Sequence, residues 1–149
     1  MPTRILIAVP DESLANSYEE FLCRDGFDVA TVTNGLDCMA KLRTWTPDVL
    51  VLELDMPCGG GFGVLAMMHD GLEIPRIPVM VLTAHHDFQD LGGLLLFEMM
   101  SDLHVKPVPP EKLARIIRRR LRATGAEWSD EVTWVRTTFG NWLLLRHGQ

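Results

Sequence analysis

The chain has 149 residues, of which 47% are hydrophobic and 23% charged, with a formal net charge of −6. This is the balance of an ordinary globular protein, long enough for one domain with a real core. The negative charge argues against general nucleic-acid binding. No apolar stretch nears the ~20 residues of a membrane span. The N-terminus lacks the pattern of a signal peptide, so the cytoplasm is the expected location.

Five short apolar runs alternate with helical patterns along residues 1–122. Ile5-Leu6-Ile7-Ala8-Val9 opens the series as a strand. Leu14, Tyr18, Phe21 and Leu22 then share one face of a helix, with Ser13 as its expected N-cap and Gly26 at its end. Val29 to Val32 reads as an edge-like strand. Asn34-Gly35 signals a turn, and Leu36, Met39, Ala40 and Arg43 continue as a second helix.

Val49 to Leu52 is apolar on both faces, as a central parallel strand should be. A glycine-rich loop from Cys58 to Gly63 and a short helix from about Val64 to His69 follow. Val79 to Leu82 is the fourth strand. Leu91 to Met100 is a fourth helix, apolar on nearly all sides, and Leu103-His104-Val105 a short fifth strand. Pro110 to Arg122 closes the series as a fifth helix. Its proline sits in the first turn, and Leu113, Ile116, Ile117 and Leu121 face inward.

This is a (βα)5 pattern. Right-handed crossovers put the helices on both faces of one parallel sheet, giving a doubly wound α/β domain. Its crevice is expected at the strand carboxyl ends. The residues there are Val9 to Glu12, Glu53 to Pro57, Thr83-Ala84 and Lys106-Pro107.

Residues 123–149 form an apolar extension expected to pack on the domain or on a partner. Trp128, Val132, Val135, Phe139 and Trp142 recur at helical spacing after Ser129-Asp130-Glu131, a good helix start. Val132 to Phe139 is also rich in β-branched and aromatic residues, and Gly140-Asn141 could turn, so a hairpin competes. The helical signal weighs slightly more.

Four ordered features carry a resemblance. They are a strand ending at Glu53, Asp55-Met56-Pro57 with Gly61 after it, Thr83-Ala84 ending the fourth strand, and Lys106-Pro107 after the fifth. Together on this pattern they resemble the response-regulator receiver domains of two-component signalling, over residues 4 to about 122. The resemblance implies a flavodoxin-like five-stranded sheet in the order 2-1-3-4-5. It also implies an aspartate that takes a phosphoryl group from a histidine kinase, aided by Mg²⁺. Lys106 matches the lysine that pairs with phosphoryl oxygens, and Thr83 the hydroxyl that hydrogen-bonds one of them. Lys106-Pro107 matches the family's usual cis peptide, a form that only X-Pro bonds adopt readily.

Three departures qualify the resemblance. Glu53 stands at the phosphoacceptor position. Counting back from Gly26-Phe27, the acidic pair that holds the metal falls on Val9 and Pro10, and Asp11 and Glu12 come one and two positions later. The aromatic switch residue falls on Leu103. Mg²⁺ takes oxygen ligands, usually including one or two carboxylates, so the lost pair removes its main anchor. Glutamate's extra methylene moves its carboxylate out of line by over an ångström, and such a misplacement costs on the order of 10²-fold.

The expected protein is therefore a stand-alone, atypical receiver. It would act by protein–protein contact without phosphorylation or catalysis, with no cofactor and weak or no Mg²⁺ binding. Glu53 would either mimic the phosphorylated state beside Lys106 or only fill a decayed site. The expected partner is a histidine kinase or a downstream effector. A homodimer through the fourth helix, the fifth helix or the extension is the alternative, and neither nucleic acid nor membrane is expected.

Rival readings are a working receiver that uses Asp55 or an unusual metal arrangement, and a flavodoxin-like cofactor binder. Against the latter, Pro10-Asp11-Glu12 would repel phosphate. His85-His86-Asp87 with His104 could suggest a metal, yet a polar loop is the simpler account. Arg115, Arg118, Arg119 and Arg122 share a face that would suit an acidic partner. Cys23, Cys38 and Cys58 are odd in number and widely spaced, which indicates neither a disulfide framework nor a zinc site.

Overall fold

A computed structural model describes residues 2–58, 60–71, 74, 76–84 and 102–122, together with the backbone of 132–136 and 142–146. Five strands, β1 (Arg4–Ala8), β2 (Asp28–Val32), β3 (Val49–Glu53), β4 (Val79–Thr83) and β5 (Asp102–Val105), form one parallel sheet in the order β2-β1-β3-β4-β5. The described helices are α1 (Glu12–Arg24), α2 (Gly35–Trp45), α3 (Gly60–Asp70) and α4 (Pro110–Arg122). The order 2-1-3-4-5 is that of the doubly wound flavodoxin-like sheet. It puts β2 at an edge and β3 in the centre, as their sequences imply.

Side-chain alternation along the strands sorts the core into two layers. Val49 and Val51 of β3 share one layer with Ile5, Ile7, Tyr18, Leu22, Leu113 and Ile117, so α1 and α4 cover that face. Leu50 and Leu52 share the other with Cys38, Met39, Leu42, Val64 and Leu65, so α2 and α3 cover the opposite face. Every residue of β3 and β4 is buried, which explains their unbroken apolar runs.

Several local expectations need correction. Asp11, not Ser13, caps α1, and its carboxylate accepts a hydrogen bond from the Leu14 backbone N–H at 3.2 Å. Residues 60–63 are not loop but the first turn of α3. The glycine at 61 is required there, because a Cβ would lie 2.6 Å from the Leu54 Cα and 2.7 Å from the Glu53 carbonyl oxygen. The helical spacing after Ser129 does not produce a helix over 132–136. Val132–Arg136 (β6) and Trp142–Arg146 (β7) pair antiparallel, with Trp134 opposite Leu144. The β-branched and aromatic content of the segment prevails over its 3.6-residue spacing. The fourth helix expected at 91–100 lies outside the described residues.

Candidate functional site

Glu53 ends β3 on the face of Val49 and Val51, toward α1 and α4. It is 6% exposed, one of two buried polar residues among those described, and the other is Thr83 at the end of β4. A carboxylate so placed needs a compensating charge. Lys106 supplies it: its Nζ donates to Glu53 Oε1 at 2.5 Å, with the lysine side chain 26% exposed. Among the described residues, the buried Glu53 Oε2 has no hydrogen-bond partner, and Lys106 is the counter-charge they offer the carboxylate.

The backbone holds Lys106 in place. Its N–H donates to the Thr83 carbonyl at 2.7 Å, which carries the β4–β5 pairing one residue past β5. The Lys106–Pro107 peptide is cis, as the resemblance implied. Val108 follows, 3% exposed, and its carbonyl accepts the Tyr18 hydroxyl at 2.6 Å. Tyr18 comes from α1 and is fully buried. Burial, with the nearby Glu53 charge second, pushes its phenol up to about 12. Helical spacing marked Tyr18 only as a core residue. Its hydroxyl contact joins positions 90 residues apart, and no local pattern announces that.

The remaining candidates lie around this pair without joining it. Val9 is fully buried in the apolar layer with Ile5 and Ile7, and Pro10 is half-buried. Asp11 is exposed and occupied as the α1 cap. Asp55 is exposed, and Pro107 too. Leu103 is buried in the α2–α3 layer. Among the described residues, no group of three or more His, Cys, Asp or Glu could hold a metal ion, and the histidine pair at 85–86 lies outside them.

On β5 and α4, Arg120 holds Asp102 through both guanidinium sides, at 2.9 and 2.7 Å. Of the arginines singled out on α4, Arg118 pairs with Asp25 at the end of α1, whereas Arg115, Arg119 and Arg122 are exposed. His104, beside Asp102, has its pKa lowered by burial. Asp102 opposes that shift, and Lys112, Arg120 and Arg119 reinforce it.

A doubly wound 2-1-3-4-5 sheet with an acidic residue ending β3 and a Lys-cis-Pro after β5 defines a receiver-type domain. Residues 5–118 match the family model described as "Response regulator receiver domain", and the chain belongs to that family. It is 32% identical over 127 residues to the DNA-binding response regulator MtrA of Mycobacterium tuberculosis, covering 85% of this chain and 54% of that one. It is 32% identical over 135 residues to the transcriptional regulatory protein AfsQ1 of Streptomyces coelicolor, covering 90% of this chain and 57% of that one. The chain thus spans about half the length of the curated relatives it matches. The chemotaxis response regulator CheY4 of Vibrio cholerae shares the fold, with a TM-score of 0.71 at 21% identity over 80% of this chain and 98% of that one.

Proposed function

We propose that this receiver signals without phosphorylation, through protein–protein contact, with the Glu53–Lys106 pair standing where a phosphoryl group and its lysine would meet. The observation that carries the reading is the 2.5 Å contact between Lys106 Nζ and Glu53 Oε1 in a buried setting. The lysine that would neutralise an incoming phosphoryl group is already engaged. A phosphodonor therefore meets a glutamate whose charge is satisfied on one oxygen, and no free ammonium to stabilise the transferring group.

The ligand set for Mg²⁺ is depleted as well. Octahedral oxygen coordination would have to draw on Val9, Pro10 and Asp11 at the end of β1. The first is an apolar core residue, the second has no side-chain donor, and the third caps α1. We infer weak or absent Mg²⁺ binding from that donor set. The same cap argues against a flavodoxin-like cofactor binder, because a carboxylate occupies the helix N-terminus where a phosphate would dock.

The partner on this reading is a histidine kinase or an effector that recognises one receiver conformation. Residues 1–122 form the receiver unit, and 123–149 are an extension that packs on it or on the partner. The surfaces we assign to a homodimer are the helix expected at 91–100, the last helix and the extension. MtrA is named for DNA binding and AfsQ1 for transcriptional regulation, and this chain spans about half the length of each. On this reading the receiver unit itself, with its acidic balance, contacts protein and not nucleic acid. No described helix is long and apolar enough to cross a membrane.

Incubation with Mg²⁺ and a small phosphodonor, read by intact mass, tests the proposal. The expected result is no acyl-phosphate adduct. A stoichiometric adduct overturns it, and its location on Glu53 or Asp55 by peptide mapping tells which carboxylate reacts. Mimicry by Glu53 is tested separately: Glu53→Gln should weaken binding to the partner, and unchanged affinity defeats that claim.

A further inference from the structure

Among the described residues, one ammonium group pairs with the Glu53 carboxylate, and it stands on the segment that follows β5. Lys106 follows the last residue of β5 and precedes a proline, which donates no backbone hydrogen bond. On the strand side, the Lys106 N–H to Thr83 carbonyl bond anchors the segment. On the far side the anchor is the Tyr18 hydroxyl, which holds the Val108 carbonyl at 2.6 Å in a fully buried setting. Tyr18 also lies within electrostatic reach of Glu53, whose negative charge contributes to raising its phenol.

We propose that Tyr18 is a positioning residue for the Glu53–Lys106 pair, and that its hydroxyl couples the pair to α1. This rests on the reading that the pair is the operative site of the domain. Lys106 is clamped between two backbone hydrogen bonds, one from its own N–H and one to the carbonyl two residues on. Releasing the second lets the 106–108 segment shift and carry Nζ away from Oε1. In the other direction, a change in Glu53 or Lys106 moves the segment and is felt at the phenol, in the layer that α1 shares with α4 through Leu22, Leu113 and Ile117. The β5 position that the resemblance gives to an aromatic switch is Leu103, buried against the opposite face. The buried aromatic ring tied to the Lys106 segment therefore belongs to α1 in this chain.

Tyr18 is the single tyrosine of the sequence, so tyrosine labelled with ¹³C at Cζ gives one resonance from the full chain. Lysine labelled at Cε and Nζ gives a Lys106 signal, identified by its loss in Lys106→Met. Glu53→Gln should shift the Tyr18 resonance, and Tyr18→Phe should move the Lys106 signal toward that of a solvent-exposed lysine. Either signal staying at its wild-type position overturns the proposal, even where Tyr18→Phe lowers the melting temperature. Ile117→Val, which trims the same apolar layer and spares the hydrogen bond, should leave Lys106 unmoved. A shift there as large as that from Tyr18→Phe would reduce the coupling to general packing and overturn the proposal too. If Tyr18→Phe does not fold, the Tyr18 resonance in Glu53→Gln decides alone. Failure of the coupling leaves the phosphodonor result untouched, and an acyl-phosphate adduct leaves the coupling result untouched.

Discussion

Replacing Lys106 by methionine keeps the length of the side chain and removes its charge. What remains is a carboxylate whose side chain is 8% exposed, with one oxygen stripped of its counter-ion and the other without a hydrogen-bond partner among the described residues. Removing one member of a buried pair costs roughly 3–5 kcal/mol, because the survivor is an uncompensated buried charge. Lys106 is 26% exposed, so water reaches the edge of the pair, and the low end of about 3 kcal/mol applies. The reverse change, Glu53→Gln, strands only a partly exposed ammonium that can turn to water, and should cost about 1 kcal/mol. The asymmetry is the test. Urea unfolding followed by far-UV circular dichroism gives the two midpoints at a common slope, and the double variant closes the cycle. Lys106→Met should be the more damaging single change, and the double variant should recover most of its loss. Stability of Lys106→Met within about 0.5 kcal/mol of wild type, the usual range for an inconsequential surface change, would refute the argument. So would a greater loss in Glu53→Gln.

The Tyr18 phenol is raised from its usual 10.0 to about 12 in the fold, so the stability it contributes is whole below pH 10 and is lost as pH climbs through 12. That two-unit interval is worth roughly 2–3 kcal/mol. Tyr18→Phe should flatten the alkaline limb of a stability–pH profile between pH 10 and 12, and an unchanged slope there contradicts the assignment. Two glycines of α3 should respond with opposite signs. Gly61→Ala drives a Cβ into the Leu54 and Glu53 backbone and should cost about 1–3 kcal/mol. Gly63→Ala enters open space and should gain about 0.5–1 kcal/mol. Equal effects by chemical denaturation would contradict the packing of α3 on the β3 end. A thiol reagent should label Cys23 and Cys58 in the native protein and reach Cys38 only after unfolding, since Cys38 is fully buried and burial pushes its thiol up to about 12. Native-rate labelling of all three thiols would count against that core.

Much of this molecule was legible because its signals are local. Val49 to Leu52 is apolar at every position, which only a strand covered on both faces tolerates. Pro110 and the apolar spacing behind it mark α4 to the residue. The cap of α1 was misplaced because Asp11 and Ser13 are both competent caps, and the choice depends on where β1 releases the chain. Residues 60–63 looked like loop because glycine is a poor helix former. The structure needs Gly61 for a long-range reason, the close approach to Leu54. The antiparallel pairing of β6 and β7 was hard to foresee because the same residues carry a helical spacing and a strand-forming composition. At the site, Glu53 and Lys106 could be named in advance from motif order. Their pairing followed from the resemblance, which sets a lysine against the acceptor position, whereas the Tyr18 brace on the segment between β5 and α4 joins residues 90 positions apart and had no local signal.

A receiver that carries its own negative charge answers to different controls from one that is phosphorylated. An acyl phosphate changes the population of two conformations because its contacts differ between them, and hydrolysis returns the balance. The Glu53–Lys106 pair forms with the fold and has no hydrolytic exit. On the proposed reading, a partner that prefers the paired conformation sees a constant fraction of competent molecules. Its occupancy then follows the amount of this protein and of competing receivers. Where the paired state already dominates, the partner's apparent affinity approaches its intrinsic value. Glu53→Gln tests this step as well. It removes the charge while keeping the shape, so it should lower partner affinity by the factor through which the paired population falls, with little change in saturation stoichiometry. Loss of stoichiometry at unchanged affinity would mean that the variant unfolds a fraction of molecules instead of shifting them between conformations.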